Sequence, residues 1–180
     1  MKYFIAEQEA SYLHVPRPVN WFGKIDPDKV HKDTHQDMPN YTALPIEADE
    51  QVEFLDVIFH PVFAVSDQVQ QVLKLYEPNM VWKVLMLYDK KNKLVQLYHV
   101  PVLWDMDCLT DKSKEDLGKG QCADIQINQL GLRDKSIFLL AGVQKRYVVM
   151  RLDLVESLLR RNVTGLHLIE LDVISETREG

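Results

Sequence analysis

His31 and His35 stand four residues apart, a spacing that puts two imidazoles on one helix face, where they can share a metal ion. The pair lacks the rest of such a site. Residue 32 is Lys rather than the Glu of a His-Glu-x-x-His motif, and no third ligand is obvious. Among prolines, lysines and aspartates, both histidines read as solvated loop residues. Asp105 and Asp107 form an Asp-x-Asp, which can chelate a divalent ion with a nucleotide sugar. No Gly-rich phosphate loop or dinucleotide fingerprint accompanies it, so a strand-end turn is the plainer reading. Cys108 with His99 or His60 could make a thiol–imidazole pair, although a lone cysteine is most often a small buried hydrophobe. Gly-x-Ser-x-Gly, the serine nucleophile elbow, is absent. These residues imply no catalytic group, cofactor or metal.

The strongest charge feature is acidic. Glu47, Asp49, Glu50, Glu53 and Asp56 fall within one stretch that contains no basic residue. Such a run is a solvated face in the ordinary case, and a contact surface for a cationic partner in the functional one. Trp21, Trp82 and Trp104 could anchor an interface, but they read better as core residues, Trp82 most clearly.

The elements that position these groups follow from pattern. Residues 2–6 predict a short strand. Residues 14–45 hold Pro16, Pro18, Pro27, Pro39 and Pro45, and predict irregular chain packed on or over the core. A strand is expected at 54–59. Ser66 then caps a helix whose apolar stripe is Val65, Val69, Val72, Leu73 and Tyr76, and Pro78 stops it. Residues 81–88 are nearly all apolar and suit a central strand. A polar turn returns the chain through 94–104 as a hairpin. Residues 105–121 read as a loop, followed by short strands near 123–127, 137–141 and 146–150. Asp153 as N-cap and Glu156 form a capping-box pattern over Val155, Leu158 and Leu159, with Gly165 placed to end that helix. Residues 166–171 close the chain as a strand. Most links are too short for parallel crossovers, so the expectation is α+β, with a largely antiparallel sheet and two main helices.

The 180 residues fit one domain, spanning 1–180. The net charge of −6 argues against nucleic acid as a direct ligand and against an anionic membrane surface, and permits a basic protein partner. Cys108 and Cys122 make no Cys-x-x-Cys; two free thiols are expected, although a bridge between them is possible in principle. The N-terminus turns acidic too soon for a signal peptide, and no apolar run is long enough to span a bilayer. A cytoplasmic protein with no membrane association is expected.

With the elements placed, the chain resembles a family. The likeness is carried by Met1-Lys2-Tyr3-Phe4-Ile5 and by Phe54-Leu55-Asp56 leading to Pro61 and Ser66. Above all it lies in the run from Tyr147 through Arg151-Leu152-Asp153 and Glu156-Ser157-Leu158-Leu159 to Arg160-Arg161, then Gly165. Together these are similar to immunity proteins of bacterial polymorphic-toxin systems, the class usually numbered eleven. The resemblance implies a non-enzymatic cytoplasmic protein that binds and sterically blocks a cognate toxin, and it assigns no catalytic residues. Glu47, Asp49, Glu50, Glu53 and Asp56 are the candidate partner-binding residues. Two other readings stay open: a small enzyme using the 105–124 region, with Asp105, Asp107 and Cys108 as its groups, or a regulatory or scaffold subunit.

Overall fold

A computed structural model of the chain describes residues 1–47, 51–118, 125–129, 132 and 134–174, backbone only over 115–118. Among the described residues, two six-stranded sheets and three α-helices make an α+β fold. In the first sheet β1 (Tyr3–Gln8) lies between β11 (Val148–Arg151) and β12 (Leu166–Ile174), antiparallel to both. Outward from β11 come β10 (Ile137–Leu140) and then β8 (Asp105–Met106); outward from β12 comes β9 (Gln126–Asn128). The second sheet is built on the hairpin of β6 (Val81–Asp89) and β7 (Leu94–Val102). On the β6 side lie β3 (Tyr41–Glu47) and β2 (Arg17–Pro18); on the β7 side lie β5 (Ala64–Val65) and β4 (Val57–Ile58).

Strand alternation builds the layers, because successive side chains leave opposite faces. From the first sheet, Ala6, Ile137, Leu139, Val148 and Met150 enter a core shared with helices α1 (Asp67–Tyr76) and α3 (Leu152–Leu159). Their neighbours Tyr3, Ile5, Phe138, Leu140 and Val149 turn to the other face, where Met106, Cys108, Leu109 and Ile127 cover them. The second sheet sends Leu44, Ile46, Leu85, Leu87, Tyr98 and Val100 into a third core, closed by Ile25, Val30 and Met38.

Helix α1 forms as its sequence predicts. The Ser66 hydroxyl accepts from the Val69 N–H at 3.5 Å, and Val69, Val72 and Leu73 are buried. The buried stripe of α3 is Leu154, Val155 and Leu158. The helices are stitched together by Tyr76 Oη donating to the Asp153 carbonyl at 3.0 Å and by Gln68 Nε2 donating to the Arg161 carbonyl at 3.0 Å.

The pairing is largely antiparallel, as expected, although the sheets are mixed: β3–β6, β8–β10 and β9–β12 run parallel, while the remaining pairings of the described strands are antiparallel. Other expectations are corrected. The Pro-rich segment contributes Ile25, Val30 and Met38 to the third core, and its last residues form β3, with Pro45 opposite Tyr88. The expected strand at 54–59 shortens to Val57–Ile58. The stretch read as a loop at 105–121 holds β8 and a third helix, α2 (Asp111–Gly118). The start of α2 is fixed by the Thr110 hydroxyl, which accepts from the Ser113 N–H at 3.3 Å. Asp153 is not the N-cap of α3; Arg151 is, and its guanidinium holds the Asp153 carboxylate at 2.7 and 2.8 Å. Gly165 does not end α3 either. The chain turns left-handed earlier, at Asn162 (φ 53°).

Candidate protein-binding face

The third core takes only one face of β3, β6 and β7. The register aligns the residues of the opposite face in rows: Tyr41, Val84 and His99; then Ala43, Met86 and Leu97; then Pro45, Tyr88 and Val95. Residues in register across neighbouring strands share a face, so these nine make one surface. Eight of them are uncharged, and His99 is the ninth. Beyond the reach of α1 this surface is open: Val95 is 61% exposed, Tyr41 50% and Leu97 47%. Scattered exposed apolar residues need no explanation, whereas contiguous apolar patches are where docking sites are sought. Met and Tyr are side chains that interfaces favour, and interface centres are depleted of charge.

The ends of the face differ. At one end the sheet runs under α1, where Trp82 packs on the shared core and Lys74 Nζ sits 5.9 Å from its ring. There His99 pairs with Asp67 at the helix start and meets Trp82 edge to face, with centroids 6.3 Å apart. At the other end the hairpin turn carries Asp89, Lys90, Lys91 and Lys93. The Asp89 carboxylate ties this turn by accepting from the Lys91 N–H at 2.8 Å and from Asn92 Nδ2 at 2.6 Å. Within the face, Tyr41 Oη donates to Met86 Sδ at 2.9 Å. The β7 margin is also open. β5 meets β7 only at Val65 and His99, so among the described residues Leu94–Tyr98 have a strand neighbour on the β6 side alone.

Three residues of the acidic run are described, and they differ in setting. Glu47 is exposed at the end of β3, one row beyond Pro45 and Tyr88. Glu53 is exposed on the linker, its N–H donating to the His14 carbonyl at 2.9 Å. Asp56 turns inward: its carboxylate accepts from the Ser66 hydroxyl at 2.8 Å and from the Thr164 N–H and hydroxyl at 3.0 Å each. Asp49 and Glu50 lie outside the described residues.

The groups weighed for catalysis are likewise dispersed. His31 Nδ1 lies 3.3 Å from Asp105, and His35 sits in a separate short 3-10 turn. Asp107 pairs with Lys114 at 3.0 Å. Cys108 is buried in the core beneath the first sheet, and burial, with help from the Asp107 charge, pushes its thiol up to about 12. A thiol held in that state is not a nucleophile at neutral pH. Its proposed imidazole partners are engaged elsewhere, His99 by Asp67 and His60 by the Trp21 ring at 5.3 Å. Cys122 lies outside the described residues. No group of three or more His, Cys, Asp or Glu side chains among the described residues is placed to hold a metal ion.

Among the tryptophans, Trp21 and Trp82 are partly buried against cores, whereas Trp104 is 41% exposed with Lys32 Nζ 4.8 Å and Lys135 Nζ 5.5 Å from its ring. Among the described residues, no helix is long and apolar enough to cross a membrane. The chain matches no protein-family model and no curated protein.

Proposed function

We propose that this chain is a non-catalytic immunity protein, cytoplasmic in location, that binds a cognate bacterial toxin and blocks it by covering its surface. The observation that carries the binding reading is the open apolar face of β3, β6 and β7. We assign the toxin contact to it, with Met86, Leu97 and Val95 as the buried centre and Glu47 on the rim. A partner with a matching apolar patch fits this arrangement, with a basic group opposite Glu47 and acidic ones opposite the lysines of the β6–β7 turn, since rim charge governs capture rate and the desolvated centre governs lifetime. The toxin identity rests on the resemblance of the 147–165 stretch and its flanking signatures. Against the enzyme alternative stand the burial of Cys108 and the pairing of Asp107 with Lys114.

The test is protection from any toxin domain that a neighbouring gene encodes. Co-expression of the wild-type chain is expected to restore growth and to give a stable complex. Leu97→Glu and Met86→Glu are expected to abolish both while the purified variants keep the wild-type melting temperature. Full protection by these variants moves the contact elsewhere on the molecule. Failure of the wild-type chain to bind or protect overturns the immunity reading.

A further inference from the structure

A second feature of the molecule is concave rather than flat. Where the two sheets diverge, a cavity of 460 Å³ opens between β1, the β10–β11 turn and the segment joining β4 to β5. That volume lies in the range of small-molecule sites, roughly 300–1,000 Å³. Its wall is apolar: Phe59, Phe63, Leu103, Leu139 and Val148 line it, and the two phenyl rings meet at 5.2 Å.

Polar groups gather on one side. The β10–β11 turn brings Lys145 and Arg146 to the lining, and β1 brings Glu7. Lys145 Nζ pairs with Glu7 and lies 4.9 Å from the Tyr147 ring. Arg146 donates from Nε to Asp28 Oδ1 at 3.2 Å and from Nη2 to the Asp28 carbonyl at 3.1 Å. The Asp28 side chain is itself 88% exposed, so water screens its pull on the guanidinium. The lining carries Lys145, Arg146 and Glu7, with Asp28 balancing Arg146 from outside it, so the polar side is rich in N–H donors rather than in net charge. An apolar chamber whose polar side offers Lys and Arg donors suits an apolar chain ending in an oxyanion head that can accept from both.

We propose that this cavity is a binding site for an acyl carboxylate, its chain between Phe59, Phe63 and Leu139 and its head at Lys145 and Arg146. The head joins cations already oriented by Glu7 and Asp28, so little side-chain ordering remains to oppose binding.

The experiment uses the full chain and three probes of equal chain length: decanoate, decanol and decyltrimethylammonium, each below its micellar concentration. Calorimetric titration is expected to give saturable one-to-one binding of decanoate. Decanol is expected to bind about tenfold more weakly, the factor a charge-assisted contact contributes, and the cation not at all. Lys145→Ala with Arg146→Ala should erase the preference for decanoate over decanol. Val148→Phe fills the chamber and should abolish binding of both; if that variant does not fold, the double alanine variant still decides. Leu75→Lys, at an exposed position of α1 outside the lining, should bind decanoate as the wild type does. No saturable binding, equal binding of all three probes, an unchanged preference in the double variant, or loss of binding in Leu75→Lys would each overturn the proposal.

Discussion

Asp56 and Thr164, 108 positions apart in the chain, hold each other reciprocally: the Thr164 hydroxyl accepts from the Asp56 N–H, and Thr164 returns two hydrogen bonds to the Asp56 carboxylate, all at 3.0 Å. The joint ties the strand opening at Val57 in the second sheet to the one opening at Leu166 in the first. Asp56→Ala removes the acceptor and strands the partly buried Thr164 N–H. It is expected to destabilise the fold by about 3 kcal/mol. Asp56→Asn, which keeps one acceptor oxygen, should fall between that and wild type. Glu53→Gln should change stability by less than about 0.5 kcal/mol. Urea denaturation midpoints of the three variants check the order.

Gly165 lies beside that joint, and its importance is steric. At φ 88° a side chain is strained, and an added Cβ would sit 2.4 Å from the Val57 carbonyl oxygen and 3.0 Å from Leu55 Cβ. Backbone must shift to admit it, so Gly165→Ala is expected to cost about 3 kcal/mol, and Gly165→Val more. Asn162→Gly, where the left-handed turn after α3 falls, should stay within about 0.5 kcal/mol of wild type. Thermal melts of the three variants test this; a mild Gly165→Ala would show that β4 and the Thr164–Gly165 turn are not in contact.

The protonated Cys108 thiol sets a direction for alkaline stability. The folded pKa is raised, so the native state keeps this proton after the unfolded chain has lost it. The contribution is full below the ordinary value of 9.0 and is lost as pH rises toward about 12. Within that window this group alone gives a slope of about 1.4 kcal/mol per pH unit. Tyr3 and Tyr98, both raised by burial first, act in the same sense at higher pH. Cys108→Ala should flatten the fall in denaturation midpoint over the window. In a Cys122→Ser background, iodoacetamide should leave the folded protein unlabelled at about pH 8 and label it in denaturant.

The open face should also declare itself without any partner. Val95→Thr, Leu97→Thr and Met86→Thr together should elute earlier than wild type from a phenyl column under high ammonium sulfate. The same changes should move the melt by little more than about 1 kcal/mol, because Val95 and Leu97 are largely in water already. Unaltered retention would mean that the surface is not the dominant apolar patch.

What the sequence revealed and what it hid divide along the range of the interactions. Ser66 capping α1 and the Val81–Val102 hairpin depend on neighbours a few residues away, so their signals survive in one dimension. β3 was hidden because Pro45 argues against a strand, and its pairing with β6 closes over a long intervening stretch. Helix α2 has Leu117 as its one large apolar residue and lacks the apolar rhythm that betrayed α1. The open face was half legible. Val84, Met86 and Tyr88 interleave with Leu85 and Leu87, and apolar residues on both parities read as burial on both sides. The exposure of Val95 and Leu97 depends on where α1 stops, which no local pattern records. Asp56 shows the reverse error: a carboxylate in an acidic run looked solvated, but its partner stands at Thr164.

The place of β1 has a consequence for biosynthesis. Tyr3–Gln8 is made well before its strand neighbours Val148–Arg151 and Leu166–Ile174, with the whole second sheet lying between them in the chain. The strand must therefore wait unpaired while that sheet is synthesised. The second sheet, whose strands all lie between Arg17 and Val102, can form while the rest is still being polymerised. Assembly is expected to proceed from the middle of the chain outward, with long-range closure of the first sheet as the slow, aggregation-exposed step. Nascent chains arrested before residue 148 should have a protease-resistant second sheet and a β1 that remains open to cleavage or to capture by a chaperone.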